Sequence, residues 1–393
     1  MIIRITKEDF ALIPFTFFWL LIFFPKPIQL FLLATYFLTL VLYYGISISN
    51  DLFFELQAIY LGIYGVSIIF NCFAEPHETL RIIAAINTWL VNCISLGVYS
   101  TFKKNVSVNS EKLSKTCLFN LAVLIVLAVL FLTYPGIKNL SIMGHAIYGG
   151  DWLNGDYSER FLGFFDYSNM VVFAVLFFYS VSFKTISNSF ILTTLLTTGA
   201  AIAIYVSHSR SGLILFLVIV ILQIVTVKEK VFEFIKKNKM LIVGITAILV
   251  LIFGILNFQT LQNWVNGMIQ IRSGSSGMRV QIYRLSIQRM LDRNPIIGMG
   301  IKDMLGNSGF PYGSHSTYIG AFYKTGLVGG TIYTISIVWV FVQVLRANNA
   351  NNTDFISKVS ILSILILMIF EDIDGTNWAE VIFYILMSQI VGR

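Results

Sequence analysis

Long, uninterrupted runs of apolar residues recur along the whole of this 393-residue chain. A helix needs about 20 mostly apolar residues to cross a bilayer core, whereas the strands of a membrane barrel alternate in polarity. Only 12% of the residues are charged, about half the fraction that a soluble domain needs for its surface, and the mean hydropathy is +0.79. The sequence therefore predicts an all-α, polytopic integral membrane protein, with residues 1–393 forming a single membrane domain.

The apolar runs predict about twelve transmembrane helices. The first run is interpreted as an uncleaved helix, because no small-residue cleavage site follows it. The run at 316–345 is long enough to be tilted or broken. The predicted spans are 11–24, 28–47, 52–73, 79–100, 116–134, 166–183, 187–206, 211–227, 240–258, 316–345, 356–370 and 376–391.

The positions of lysine in the short loops indicate the orientation of these spans. If the N-terminus is cytoplasmic, both lysine clusters, at 103–115 and 228–239, also fall on the cytoplasmic side. Both termini are then cytoplasmic, and the chain lies in the bacterial cytoplasmic (inner) membrane. The turn at 371–374 falls outside, and its carboxylates are expected to balance nearby arginines.

The segment 259–315 breaks the charge rule, because it is a large external loop that is rich in arginine. Eight of the eleven arginines are predicted to be external, while twelve of the sixteen lysines are cytoplasmic. Arginine binds phosphate or carboxylate with two parallel hydrogen bonds, so this excess indicates an anionic ligand. Taken singly, each arginine is better explained by contact with lipid headgroups.

Residues 279–294 of this loop predict an interfacial amphipathic helix. At 100° per residue, Arg279, Arg289 and Arg293 lie within about 80° of one another and form one cationic edge. Arg284 points elsewhere. Glycines after the helix should let the loop fold closely over a ligand; they are Gly298, Gly300 and Gly306.

Two further arginines lie where predicted external segments meet spans. Arg210 follows a very short turn that contains His208, and lipid contact explains it about as well as an anionic partner. Arg160 opens the segment 160–169. There, Asn169 and Asp166 could bind sugar hydroxyls, although pairing of Arg160 with these side chains is slightly favoured.

His315 lies where the external loop meets the next span. A boundary histidine is usually a hydrogen-bonded interface residue, but this one directly follows the arginine-rich loop. A neutral imidazole beside a bound phosphate can accept a proton from an attacking hydroxyl, so His315 is the first choice of general base. The scattered carboxylates favour no metal site, and the three cysteines favour neither a metal site nor a disulfide framework.

Three boundary segments, in this order, resemble a known family. Residues 160–169 resemble "R-x-x-G-x-F-x-x-x-N" and 207–212 resemble "S-x-S-R-x-x". Residues 279–329 resemble the loop "R…W…NP-L-x-G-x-G…H-N-x-Y-L…x-x-G-L-x-G", and an arginine at 289 is followed after ten residues by a glycine. Together they are similar to the bacterial O-antigen ligase and Wzy polymerase superfamily, over a core of about 155–335. The family's asparagine after the histidine is Ser316 here, and its tryptophan is Tyr283.

The resemblance implies a metal-independent glycosyltransferase on the external face of the membrane. Its donor would be a glycan on undecaprenyl pyrophosphate, and it would need no cofactor. Arg210 and Arg279 would grip the departing pyrophosphate, and His315 would activate the acceptor hydroxyl. The predicted substrate-binding residues are Arg160, Asn169, Arg289, Arg293 and Tyr318.

Three functions remain in competition. A polymerase joins lipid-linked repeat units of a capsule, exopolysaccharide or O-antigen, whereas a ligase moves a finished glycan to lipid A core or another surface acceptor. Polymerase is preferred because nothing identifies a lipopolysaccharide-core acceptor. A transporter or flippase of lipid-linked sugars would need charged or discontinuous mid-membrane helices, and the sequence indicates neither. The expected partners are the lipid-linked oligosaccharide, the bilayer, a flippase and a chain-length regulator, with no nucleic acid.

Overall fold

The computed structural model describes residues 6–134, 140–142, 144–153, 156–187, 189–226, 273–306, 310–346 and 352–390. Six of the described helices are long and apolar enough to cross a membrane, and four shorter apolar helices accompany them. The all-α, polytopic class is thereby confirmed. The predicted span at 240–258 lies outside the described residues.

The described helices and strands have the following bounds. The helices are α1 (Lys7–Ala11), α2 (Ile13–Thr16), α3 (Phe18–Ile22), α4 (Lys26–Tyr44), α5 (Leu52–Ala74), α6 (Thr79–Asn105), α7 (Ser110–Thr133), α8 (Asn169–Ile186), α9 (Phe190–Val206), α10 (Arg210–Thr226), α11 (Ser273–Arg293), α12 (Thr317–Arg346), α13 (Asn352–Phe370) and α14 (Trp378–Ile390). The strands are β1 (Ser141–Ile142), β2 (His145–Ala146), β3 (Tyr148–Leu153) and β4 (Asp156–Phe161).

The first predicted span is not one continuous helix. The chain between 7 and 22 forms three short helices, with irregular backbone angles at Leu12 and Phe17. Pro14 lies in the first turn of α2, where its missing N–H and its ring end the preceding helix. The segment still packs into the core, because Leu12 and Phe15 are fully buried.

Helix α8 lies at the centre of the bundle. Sixteen of its eighteen residues are buried, and it packs against α7, α9 and α13. A helix that is apolar on every side must be surrounded by protein or lipid, and here the surroundings are other helices. The first residue of α8, Asn169, is thereby held at a fixed place at one end of the bundle.

The polar contacts between turns form two groups, one at each end of the bundle. The site end carries the turns at 23–25, 75–78, 207–209, 294–306, 310–316 and 371–377. The opposite end carries the chain around 6–9, 44–51, 103–112 and 184. Alternating spans predict this grouping, but the assignment of the opposite end to the cytoplasm stays a prediction. Contacts at the opposite end include Lys103–Asp51, Lys112–Asp9 and Lys184–Ser110, and those at the site end include Glu75–Arg293, Glu371–Arg279 and Lys26–Asp166.

Helix α12 is broken at Gly326, which has a φ of 66° and a ψ of −165°. The sequence allowed for a broken helix here, and that prediction is confirmed. The sequence did not single out Lys324, a charged side chain inside this predicted span. Lys324 precedes the break, is almost completely buried and pairs with Asp374. This carboxylate and the ring of Tyr64, 4.9 Å away, offset part of the cost of burying its charge.

The loop 295–300 closes the break instead of leaving it open. Its Met299 and Gly300 donate backbone hydrogen bonds of 2.8 and 2.9 Å to the carbonyls of residues 323 and 324. A Cβ on Gly298 would lie 2.3 Å from the Gly326 nitrogen, and a Cβ on Gly300 would lie 2.7 Å from the Ser67 carbonyl. These two glycines therefore allow close approach to α12 and α5, whereas the sequence suggested close approach to a ligand.

The hairpin of β3 and β4 was not predicted. Six residue pairs align from Tyr148 with Phe161 to Leu153 with Asp156. The sequence between the strands is Asn154-Gly155, and this dipeptide is a strong signal for a two-residue hairpin. The hairpin matters for the site because Arg160 is the next-to-last residue of β4.

Candidate functional site

The turn that follows α13 carries three carboxylates, and each faces a cation from another element. The Glu371 carboxylate lies 3.2 Å from the Arg279 guanidinium of α11. The Asp372 carboxylate lies 2.5 Å from the Lys302 ammonium, and Asp374 pairs with Lys324. The prediction that this acidic turn balances nearby arginines is confirmed at Glu371.

Glu371 is the centre of a small group of polar side chains. Its side chain is 4% exposed, and Arg279 also donates a 3.0 Å hydrogen bond to the carbonyl of Phe370. Asn169 lies beside the carboxylate, and Arg160 lies within electrostatic reach of it. Burial raises the pKa of Glu371 above its ordinary value of 4.5, while Arg279, Asn169 and Arg160 oppose that rise. The structure thus brings together three of the predicted site residues.

Arg160 connects this group to the turn before α10. Its Nε donates a 3.2 Å hydrogen bond to the carbonyl of Ser207. Arg210 is the first residue of α10. Among the described residues, none pairs with its guanidinium as an ion-pair or hydrogen-bond partner. The Arg210 guanidinium therefore retains its capacity to bind an anion.

Asp166 does not pair with Arg160, so that part of the expected pairing is wrong. Its carboxylate lies 2.6 Å from the Lys26 ammonium at the start of α4. His145 lies 3.7 Å from the other carboxylate oxygen. Because α4 and the β1–β2 hairpin meet the segment before α8, they supply closer partners than Arg160.

His315 immediately precedes the first turn of α12, and its backbone is fixed from two sides. The hydroxyl of Tyr283, in α11, donates a 2.6 Å hydrogen bond to the His315 carbonyl. Burial raises the pKa of Tyr283 to about 12, so the hydroxyl keeps its proton at neutral pH. Two residues on, the Thr317 hydroxyl donates a 3.0 Å hydrogen bond to the carbonyl of Glu371. The candidate base is thereby tied to the turn that carries Glu371. We refer to Arg160 and Arg279, the two arginines around Glu371, as the arginine group.

Four non-glycine residues of the described chain have a positive φ, and all lie at the site end. Such angles cost energy and persist where the surroundings enforce them, which often happens at functional sites. Three of the four belong to the segments singled out in the sequence. They are Phe164 (69°), His208 (55°), His315 (63°) and Asn377 (53°).

Arg289 and Arg293 do not join Arg279. Arg289 lies 3.2 Å from Asp303 and 3.5 Å from Glu75, and Arg293 lies 3.2 Å from Glu75. The helical rise of about 1.5 Å per residue separates Arg279 from Arg289 by roughly 15 Å along α11. The angular prediction of one cationic edge therefore places these arginines too far apart to grip a single diphosphate.

Tyr318 also lies away from the group. Its hydroxyl donates a 2.9 Å hydrogen bond to the carbonyl of Leu365, and its ring packs edge-on to Tyr333. Leu365 belongs to α13, so the Tyr318 side chain lies between α12 and α13. The sequence assigned Tyr318 to the site only because of its position in the motif. In the structure, Tyr318 makes packing and hydrogen-bond contacts with other helical residues.

The fold and this group of side chains define a class: a polytopic membrane protein with a partly buried cationic centre between helix ends. Residues 192–334 match the family model described as O-antigen ligase. This match supports membership of the O-antigen ligase and Wzy polymerase superfamily over that part of the chain. No curated protein matches the chain.

The two departures from the family pattern have clear local roles. Ser316 accepts a 3.4 Å hydrogen bond from the Ile319 N–H and so caps the start of α12. Tyr283 donates to the His315 carbonyl, and the indole N–H of a tryptophan is also a hydrogen-bond donor. Each departure therefore keeps a polar contact that positions the chain around His315.

Sequence reasoning did not identify the central place of Glu371, nor the contact between Tyr283 and His315. The acidic composition of 371–374 was the available signal for Glu371, and it indicated charge balance without naming a partner. Among the described residues, no group of three or more histidine, cysteine, aspartate or glutamate side chains is arranged to hold a metal ion.

Proposed function

We propose that the chain is a polysaccharide polymerase. It transfers a glycan from undecaprenyl pyrophosphate to a hydroxyl of another lipid-linked repeat unit, for a capsule, an exopolysaccharide or an O-antigen. The reaction takes place on the outer face of the cytoplasmic membrane, with both termini inside. The observation that carries this proposal is the convergence of Arg160, Asn169 and Arg279 on Glu371, next to the segment that holds His315.

The charge balance of the group suits a diphosphate leaving group. Arg160 and Arg279 contribute two positive charges and Glu371 one negative charge, which leaves the group a net charge of +1. Arg210 adds a further positive charge at the start of α10, after the turn that Arg160 contacts. A fixed cationic group in a partly dry site stabilises negative charge as it develops on the departing phosphate. We assign Arg210 as the principal phosphate ligand, because it has no ion-pair partner among the described residues, and Arg279 as a second ligand oriented by Glu371.

The bond changes follow from these assignments. The acceptor hydroxyl attacks the anomeric carbon of the donor sugar, and the bond from that carbon to the phosphate oxygen breaks. Undecaprenyl pyrophosphate leaves with the bonding electron pair. His315 takes the proton of the attacking hydroxyl. The arginines supply the charge stabilisation in this scheme, so we expect turnover to persist in the presence of a chelator.

A ligase is the second candidate, and one observation favours it: the matching family model is described as O-antigen ligase. Both reactions use the same donor chemistry and differ in the acceptor. A polymerase elongates a lipid-linked unit repeatedly, whereas a ligase moves a finished glycan once to lipid A core or another surface acceptor. A flippase and a chain-length regulator belong to the proposed setting in either case.

Reconstitution tests the proposal directly. The purified protein in proteoliposomes receives one lipid-linked repeat unit, and the products are separated by size. A ladder of products supports a polymerase. A single product on an added acceptor, without a ladder, supports a ligase instead. Movement of the lipid-linked sugar between leaflets without any new glycosidic bond would support a transporter and overturn both.

A further inference from the structure

Lys324 is a buried lysine beside the break in α12, and other elements hold both its backbone and its side chain. Its side chain is 1% exposed and forms an ion pair with Asp374. Its carbonyl accepts hydrogen bonds from the Ser67 hydroxyl, at 2.8 Å, and from the Gly300 N–H, at 2.9 Å. Because a side chain so deeply buried cannot touch a substrate, Lys324 can act on the reaction only through its neighbours.

The backbone contacts of this lysine lead to the helix that carries Arg279. The loop 294–300 directly follows α11. The carbonyl of Gly298, within this loop, accepts hydrogen bonds of 3.2 and 3.0 Å from the side chains of Ser67 and Asn71 in α5. Because α11 is one continuous helix and therefore a rigid element, a loop that is fixed on α5 and α12 also fixes the place of Arg279.

The side-chain contact of the same lysine leads to Glu371. Asp374 lies further along the turn that carries Glu371, and its second carboxylate oxygen accepts a 2.5 Å hydrogen bond from the Asn92 amide of α6. The next residue, Gly375, donates a 2.8 Å backbone hydrogen bond to the Glu380 carboxylate of α14. The acidic turn is therefore attached to α6, α12 and α14 a few residues beyond Glu371.

These contacts form a closed chain around one ion pair. One branch runs from Arg279 through α11 and its loop to Lys324, and the other runs from Asp374 along the turn to Glu371. The two branches meet where Glu371 lies 3.2 Å from Arg279. We propose that Lys324 and Asp374 are positioning residues, whose ion pair sets the distance between α11 and the acidic turn and thereby orients Arg279 toward the departing phosphate. This inference rests on the proposed function.

Stability alone does not account for the ion pair of Lys324 and Asp374. Taking two charges out of water is expensive, and well-packed apolar residues of similar volume often make a protein equally stable. Ionisable side chains inside a membrane bundle are rare and usually mark functional sites. Buried charges can also select one register where apolar contacts allow several. A fixed register is what the pairing of Arg279 with Glu371 requires.

Binding of undecaprenyl pyrophosphate by the full chain in nanodiscs tests this role without requiring turnover. Removing one charge alone would leave its partner buried and unpaired, which strongly destabilises a protein. The double variant Lys324→Met/Asp374→Asn removes both charges and keeps both side-chain lengths, so it should fold, and thermal unfolding checks this. We expect it to bind the probe about tenfold more weakly than wild type, as the loss of one hydrogen bond to a charged group does.

Asp374→Glu is a second variant, which keeps both charges. It lengthens the contact by one methylene group and so displaces the turn from α12. It should also weaken binding several-fold, because the length of the contact sets the position of the turn.

A third combination separates positioning from a general structural role. Glu371→Gln removes the charge that orients Arg279. If the ion pair of Lys324 and Asp374 acts through Glu371, adding the double variant to Glu371→Gln should weaken binding by no more than about a further twofold. Independent structural damage would instead add in full to the loss caused by Glu371→Gln.

Lys103→Met/Asp51→Asn is the matched control. These two side chains also form an ion pair, 2.8 Å long and 15% and 12% exposed, but they lie at the opposite end of the bundle. The control should bind the probe as wild type does.

Wild-type binding by Lys324→Met/Asp374→Asn would overturn the positioning role. A full additional loss in the Glu371→Gln background, or an equal loss in the control, would overturn it too. Failure of the wild type to bind undecaprenyl pyrophosphate would overturn the proposed function and this inference together. Tight binding without any product would count against the proposed function alone.

Discussion

The guanidinium of Arg279 lies 3.2 Å from the buried carboxylate of Glu371, on a turn 92 residues further along the chain. This pair joins helix α11 to the end of α13 and fixes the direction of the arginine. Asn169, at the start of α8, contacts the same carboxylate, and Arg160 of β4 lies within electrostatic reach of it. The geometry of the proposed phosphate ligands therefore depends on a residue that we do not expect to touch the substrate.

Glu371→Gln should lower kcat about a hundredfold, the scale on which misplaced catalytic groups act, while the protein still assembles in the membrane. The substitution keeps the size of the side chain but removes the charge that orients Arg279. The measurement is the rate of product formation in proteoliposomes containing equal amounts of folded protein. Wild-type turnover by Glu371→Gln would show that the ion pair does not position Arg279.

The pH profile gives a second test of Glu371. Because burial raises its folded-state pKa, the protonated form is favoured in the folded protein, and Glu371 favours folding most at low pH. This contribution is lost as the pH rises from the ordinary value of 4.5 through the higher folded-state pKa. Activity should show the opposite trend, because only the charged form orients Arg279. We expect an acid limb above pH 4.5 in wild type, and Glu371→Gln should lose the part of it that comes from Glu371 while keeping the part that comes from protonation of His315.

Arg210→Ala should lower kcat by about two to three orders of magnitude, as the loss of one charge-stabilising donor does. Arg210→Lys should recover only part of the rate, because an ammonium cannot make two parallel hydrogen bonds to phosphate. Arg284→Ala is the control: Arg284 lies on α11 and no described residue pairs with it. If Arg210→Ala and Arg284→Ala were equally active, the assignment of the principal phosphate ligand would be wrong.

Hydropathy predicted ten spans that the described structure shows as apolar helices, because hydropathy depends on local composition. The predicted span at 11–24 is instead a run of short helices. Distances between loops were harder to predict. A helical projection placed Arg279 and Arg289 on one edge, but it contains no axial distance, and their carboxylate partners differ. Glu371 and Asn169 meet only in the tertiary structure. Gly298 was correctly singled out for close approach, but the sequence cannot say whether a glycine approaches a ligand or another helix.

The separation of Arg293 from the arginine group can be measured. Arg293→Ala should keep kcat within about twofold of wild type, since its partner Glu75 lies on the turn between α5 and α6. Its side chain is 66% exposed, so its effect on stability should also be small. The comparison with Arg210→Ala in one preparation is decisive. A loss as large as that of Arg210→Ala would return Arg293 to the substrate-binding set.

Gly298→Ala should prevent stable folding. An added Cβ would lie 2.3 Å from the Gly326 nitrogen, and the φ of 76° is unfavourable for alanine. The two nearest atoms, the nitrogens of Gly326 and Thr325, belong to the backbone, so neither can rotate away from the added methyl group. Gly62→Ala is the control, because nothing lies within 4 Å of its added Cβ in α5, and it should be neutral or stabilising by about 1 kcal/mol. Thermal unfolding of the detergent-solubilised protein measures both, and equal melting temperatures would contradict the close packing of Gly298 on Gly326.

The hydroxyl of Tyr283 gives the last prediction, because it is the donor that holds the carbonyl of His315 at 2.6 Å. Tyr283→Phe removes that donor and leaves the ring, so kcat should fall about 2- to 12-fold, the equivalent of one hydrogen bond of 0.5–1.5 kcal/mol. Tyr283→Trp introduces tryptophan, the residue of the family pattern at this position, and its indole N–H can replace the lost donor. This variant should therefore be more active than Tyr283→Phe. If Tyr283 positions His315, kcat should be highest in wild type, lower in Tyr283→Trp and lowest in Tyr283→Phe, at equal protein abundance. Equal rates for the Phe variant and wild type would mean that the backbone of His315 is held without this hydrogen bond.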